Sequence, residues 1–327
     1  MSIRYIKSFQ PVADESLSGK ILSQVRKEFG AEVEPFTLHS PVPELLAGVW
    51  MACRETLLAG EGTRDAKELV AAAVSDINRC PYCVDAHSIM LLESSGPDYQ
   101  DALADSGLGK IAAWASATLT PDSPILHAPT FSESETPAFI GTAVFFHYIN
   151  RMVTILLGQS PLPFSSGFPK KVSLHFAAWF FGGAIRLGKT QGASLDLLPE
   201  AILPDDLLWA KSSLPIAGAF ARFSEAVEHA GARSLSEEVR SAVCKSAGNW
   251  DGSNPPMNNG WFENDIAHMQ GAEKAAGRLA FLAAFAPHKV DETTVHTFSE
   301  HFPGDDILIS ALAWSSFTAA RRIGSWL

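Results

Sequence analysis

The chain is poor in the residues that several protein classes depend on. It has four cysteines in 327 residues, too few for the disulfide framework of a secreted domain. Only 19% of its residues are charged, and 25 Lys and Arg stand against 36 Asp and Glu for a net charge of −11. The longest basic runs are Lys170-Lys171 and Arg321-Arg322, so the clustered cations of a nucleic-acid surface are missing. Alternating β-branched runs are scarce. No GxGxxG pattern occurs, and Gly182-Gly183 is not followed by the Lys-Ser/Thr of a phosphate loop. The opening "MSIRYIKSFQPVADES" has no unbroken apolar core of a secretory signal. The longest apolar stretch, "AFIGTAVFFHYINRMVTILLG", is interrupted by His147, Asn150 and Arg151 and falls short of the ~18 uncharged residues of a membrane span. These absences predict a cytoplasmic protein with neither membrane nor nucleic-acid partners.

What the chain does have is alanine and leucine at helical spacing. "PELLAGVWMACRETLLAG", "AKELVAAAVSDI", "GKIAAWASATL", "EEVRSAVCKSAG" and "KAAGRLAFLAAFA" each repeat apolar residues every three or four positions, which predicts an all-α protein. The segment 158–171, "GQSPLPFSSGFPKK", reads as a linker. Across it the sequence repeats in order. "PELLAGVWMACRETLLAG" pairs with "PIAGAFARFSEAVEHAG" and "AKELVAAAVSDI" with "SEEVRSAVCKSA". "KIAAWASATLTP" pairs with "RLAFLAAFAP", and "IGTAVFFHYINRMVTILL" with "LISALAWSSFTAARRIGSWL". Four pairs in register point to a tandem duplication: a helical domain over 1–158, a linker over 159–172 and a degenerate helical domain over 173–327. Where the first copy reads "NRCPYCVDAH", the second reads "GNWDGSNPPM", so only the first half retains thiol chemistry.

That motif carries the functional reading. Pro81 suits the first position of a helix, which places Cys80 at the N-cap, where unpaired N–H groups favour a thiolate. Cys83 follows one turn on, and His87 four residues later shares its face. If the chain reverses near Arg79, the preceding helix returns antiparallel and brings Glu68 level with His87 to within ~4–5 Å of rise. A Glu–His–Cys proton relay is then within reach. Other readings of the same residues are two inert buried thiols, a zinc site short of its second ligand pair, and Glu68 as the N3 partner of an Asp65 N-cap. Cys53 and Cys244 read as core packers, His147 as a satisfied core histidine, Asn150 and Arg151 as braces, and Trp179, Phe180 and Phe181 as core or interface.

The pattern Glu68-x11-Cys80-x2-Cys83-x3-His87 resembles the signature of alkylhydroperoxidase D, within the carboxymuconolactone decarboxylase superfamily. "FFHYINRM" also resembles the end of that family's core domain. The resemblance implies an AhpD-like helical fold and a thiol peroxidase without metal or organic cofactor. Cys83 would attack the peroxide, Cys80 would resolve it as a disulfide, and His87 and Glu68 would relay the proton. It further implies a dithiol reductant, a lipoyl group or a thioredoxin-like protein, and assembly as a homo-oligomer, dimer or trimer. One position departs from the pattern: Tyr82 stands where the characterised peroxidase has a second histidine. The alternatives are a carboxymuconolactone decarboxylase-like lyase, which does not depend on the cysteines, and a non-enzymatic redox sensor or scaffold.

Overall fold

The computed structural model describes residues 3–7, 13, 15–29, 32–95, 99–157, 188–258 and 260–327, and these are all helix, turn or irregular chain. The linker and Trp179, Phe180 and Phe181 lie outside the described residues. The first half contributes α1 (Leu17–Phe29), α2 (Glu34–Thr37), α3 (Pro43–Cys53), α4 (Arg64–Ile77), α5 (Pro81–Ser95), α6 (Tyr99–Ala104), α7 (Leu108–Ser116) and α8 (Thr136–Leu156). The second contributes α9 (Leu214–Ser234), α10 (Glu237–Asn249), α11 (Gly271–Phe285), α12 (Glu292–His301) and α13 (Asp305–Gly324).

Local chemistry sets the helix ends. Pro occupies the first turn of α3, α8 and α9, where its missing N–H costs nothing. Ser236 and Asp291 cap α10 and α12, each accepting the backbone N–H three residues on. The sequence reads residues 43–60 as one helix. The structure keeps α-geometry to Cys53 and then widens to a π-helical turn over Arg54–Leu58, where buried Arg54 bonds Glu28 at 2.8 Å and Glu55 at 2.7 Å. Glu55 in turn accepts from Gly192 N and Ser194 Oγ, each at 2.7 Å, and so pins the start of the second half to the first.

One continuous apolar cluster runs from Ile21 to Ala320, through Trp50, Phe146, Tyr148, Phe223, Trp314 and Phe317. Two helices of the first half face helices of the second: α3 packs on α9, and α8 on α13. The first contact is close enough to demand glycine, since a Cβ on Gly48 would lie 2.8 Å from the Phe223 ring. All four sequence pairs of the duplication are helical in both members. Packing adds a second correspondence. Helix α4 is flanked by α5, α7 and α8, and α11 by α12, α10 and α13.

Helix α8 has the length and composition of a membrane span, and 94% of its most apolar window is buried inside this fold. The polar residues that interrupt it, His147, Asn150 and Arg151, are buried and hydrogen-bonded to protein.

Candidate active site

The site is built around the joint between α4 and α5. Asn78 ends α4, and Arg79 takes a left-handed conformation at φ 54°. Arg79 N donates to Asp76 O and Cys80 N to Ser75 O, both at 2.9 Å. These two bonds are the Schellman closure of a helix C-terminus, a position where glycine is usual. Val84 N then donates to Cys80 O at 3.1 Å, so Cys80 finishes one helix and is the N-cap of the next. The chain reverses at Arg79, and α4 and α5 pack as a hairpin.

This hairpin gathers the four residues singled out by sequence. Cys80 and Cys83 are both buried and free, with their sulfurs 3.1 Å apart. Nδ1 of His87 lies 2.6 Å from Glu68 Oε2, deep in the hairpin. The second carboxylate oxygen of Glu68 accepts from Arg64 Nε at 2.6 Å. Burial alone would raise the Glu68 carboxyl, but Arg64 and His87 outweigh it and hold the group below its usual range. An ionised Glu68 fixes the proton of His87 on Nδ1 and leaves Nε2 as the free face of the ring. Phe146 packs edge-on against that ring, centroids 4.5 Å apart. The capping role considered for Glu68 does not hold: Thr63 is the N-cap of α4, and Asp65 accepts from its neighbour Ala66 N.

The two sulfurs differ electrostatically. Cys80 is held below the usual thiol range, chiefly by a hydrogen bond from Cys83, with the Cys83 backbone N–H, Thr154 and Asn150 adding to it against the effect of burial. The Cys83 N–H plays the part that an N-cap oxygen normally receives, with sulfur in its place. Cys83 is pushed well above the range by burial, then by its bond and proximity to Cys80. Of the two sulfurs, Cys80 is therefore the one whose deprotonation is favoured and Cys83 the one that holds its proton more firmly.

They also face different surroundings. Cys83 and His87 line a largely apolar cavity of about 360 Å³, closed by Phe36, Phe145, Phe146 and Ile149. Cys80 lines a separate surface groove with Asp76, Arg79, Pro81 and Asp85. Tyr82, in the position of the expected second histidine, donates its hydroxyl to Glu34 Oε2 at 2.8 Å. Burial and then Glu34 hold the phenol far above its usual range, so it can donate a hydrogen bond but not release its proton.

The remaining expectations divide. Cys53 is buried, on the wall of the same cavity, with its thiol raised by burial and by Glu68. Cys244 is exposed and not a core packer; on α10 the buried face belongs to Val239, Val243 and Ala247. His147 is fully buried between Asn78 Nδ2 at 3.0 Å and Thr118 Oγ1 at 2.9 Å, a neutral core histidine as read from sequence. Among the described residues, no group of three or more His, Cys, Asp and Glu gathers as a metal site would. Sequence reasoning missed Arg64, Glu34 and Thr154. Only Arg64 left a readable trace, four residues before Glu68 on one helix face.

The site is a helical hairpin that carries two adjacent thiols and a Glu-bound imidazole. Residues 43–98 match the carboxymuconolactone decarboxylase family. Over 99% of its length the chain is 37% identical to the protein named alkyl hydroperoxide reductase Rv2159c of Mycobacterium tuberculosis, covering 96% of that relative. The chain belongs to the carboxymuconolactone decarboxylase family, as one of its alkylhydroperoxidase D-like members.

Proposed function

We propose that this protein is a thiol peroxidase that reduces an organic hydroperoxide with the Cys80–Cys83 pair. The observation that carries the reading is the shared wall: Cys83 and His87 border one apolar cavity, and His87 is bonded behind to Glu68.

In this reading the peroxide enters the cavity and the Cys83 sulfur attacks its terminal oxygen. The O–O bond breaks, and the proton given up by Cys83 passes through His87, whose charge Glu68 stabilises, to the departing alkoxide. Cys83 is left as a sulfenic acid. Cys80, the more acidic thiol of the pair, attacks that sulfur as thiolate, and the hydroxide that leaves takes a proton from solvent and departs as water as the disulfide forms. The sulfurs start 3.1 Å apart and close to about 2.05 Å. A dithiol partner, a lipoyl group or a thioredoxin-like protein, reduces the disulfide by attacking Cys80 from its own groove. Assembly as a homo-oligomer and a cytoplasmic location belong to the same reading.

The reverse assignment, with Cys80 attacking, is favoured by one observation, the lowered Cys80 thiol. It is opposed by the cavity, which Cys80 does not border. The deciding experiment treats reduced protein with stoichiometric alkyl hydroperoxide and maps the products by mass spectrometry. Wild type should give a Cys80–Cys83 disulfide, and Cys80→Ser should trap sulfenic acid on Cys83. Sulfenic acid on Cys80 in the Cys83→Ser protein, with none on Cys83 in the other, reverses the roles. A lyase would survive Cys83→Ser, and a redox sensor would oxidise slowly with no catalytic turnover.

A further inference from the structure

Asn78 and Arg79 also line a second cleft of about 190 Å³ between the two halves. Helix α8 supplies Asn150, Arg151 and Thr154, and the second half supplies Trp250, Asn254 and His288. The wall from the second half is fixed by Gly252, at φ +86°, where a Cβ would stand 2.1 Å from the carbonyl oxygen of Leu119. Trp326 Nε1 bonds Thr118 O at 3.0 Å and closes the same seam.

The charges here run against those of the chain. Arg151 is 5% exposed, yet its partners are all uncharged. Nε donates to Ala284 O at 2.8 Å, Nη1 to His147 O, and the guanidinium sits 5.8 Å from the Trp250 ring. A guanidinium has five donors in a planar fork, and these bonds leave Nη2 to the cleft. Buried cations are ordinarily paired. Burial without an anion pulls Arg151 down to about 10. Arg79 also lines the cleft, makes no ion pair among the described residues, and keeps its left-handed backbone where glycine would be free of strain. His288 is lowered by burial, by Lys289 and by Arg79, the direction expected of a ring among cations. Among the described residues no carboxylate lines the cleft, and residues 158–187 contain no Asp or Glu.

We propose that this cleft binds a small oxyanion, a carboxylate or a phosphate group, clamped between the Nη2 edge of Arg151 and the guanidinium of Arg79. The planar fork suits either group in a two-point contact; the side-chain donors of Asn78, Asn150 and Thr154 on the same wall are given to His147, Asn150, Ser75 and Cys80, so the two guanidinium groups carry the site. The volume admits a small metabolite and falls below the roughly 300–1,000 Å³ of sites for larger ligands. The cleft shares Asn150 and Thr154 with the surroundings of Cys80, yet its test is independent of the peroxidase reading, because binding is measurable without turnover.

The test is calorimetric titration of the full-length protein at low ionic strength with sodium acetate and, separately, inorganic phosphate. Saturable binding with a Kd of about 1 mM or tighter is expected for at least one. Tighter acetate identifies a carboxylate ligand, and tighter phosphate a phosphorylated one. Arg79→Gln, at an exposed position, should weaken binding about tenfold, while Arg233→Gln on the far surface of α9 leaves it unchanged. Arg151→Met should abolish it; should that variant misfold, the Arg79 and Arg233 pair decides alone. No saturable binding of either anion, or equal loss in the Arg79 and Arg233 variants, overturns the proposal.

Discussion

Cys80 and Cys83 are in contact through their sulfurs and yet open onto different sides of the α4–α5 hairpin. One borders a surface groove and the other an apolar cavity. An oxidant and a reductant can then reach the same pair without competing for one entrance.

The difference in their electrostatics is measurable. In a Cys244→Ser background, which removes the exposed thiol, a small thiol reagent should modify Cys80 at a lower pH than Cys83. Cys53 should stay unmodified until the protein is unfolded, since burial and Glu68 hold it protonated. Peptide mapping of modification across pH 6–9 checks the order. Earlier modification of Cys83 would show that its thiol is the acidic one.

Glu68 fixes the tautomer of His87. Glu68→Gln keeps the shape but lets the imidazole turn over, and it leaves Arg64 without its carboxylate. Turnover with an alkyl hydroperoxide should drop about 100-fold, the lower end of the range of general acid–base contributions. Stoichiometric disulfide formation, given time, should survive. An unchanged pH–rate profile would place the proton transfer elsewhere.

Tyr82→Phe removes the donor to Glu34. The expected cost is about 1 kcal/mol of stability, the usual scale of one hydrogen bond to a partly buried partner, read from denaturant midpoints. By the family resemblance, Tyr82→His should raise turnover instead of lowering it.

His39 predicts how the fold responds to acid. It is buried between Pro35 O at 3.0 Å and Tyr148 Oη at 2.7 Å. Burial, resisted by bonds to the backbone of Pro35 and Phe36, lowers it to about 4. The unfolded chain takes up a proton near pH 6.5 and the folded chain only near 4. Stability therefore rises with pH across that window and is lost as pH falls from about 6.5 to about 4, by roughly 3 kcal/mol. Melting temperatures measured from pH 7 to 4 should fall steeply in wild type and less steeply in His39→Asn. Parallel curves would remove His39 from the account.

Much of this was readable beforehand, and the reasons are local. The 3.6-residue spacing that names the helices, the proline that opens α5 and the offset that brings Glu68 to His87 depend on residues near one another in the chain. The left-handed Arg79 escaped because glycine is the usual mark of that closure. The π-helical turn escaped because it accommodates a buried Arg54–Glu55 pair whose partners, Glu28, Gly192 and Ser194, are distant in sequence. The thiolate-stabilising Thr154 and the clefts escaped for the same reason: their walls come from opposite ends of the chain.

Cys80 belongs to two helices at once, donating the closing bond of α4 from its backbone N–H and capping α5 with its sulfur. Once that sulfur joins another, it can no longer serve as an anionic cap. Each oxidation would then loosen the first turn of one helix while the end of the other stays fastened, so the redox state of a single atom is written into the backbone of the hairpin.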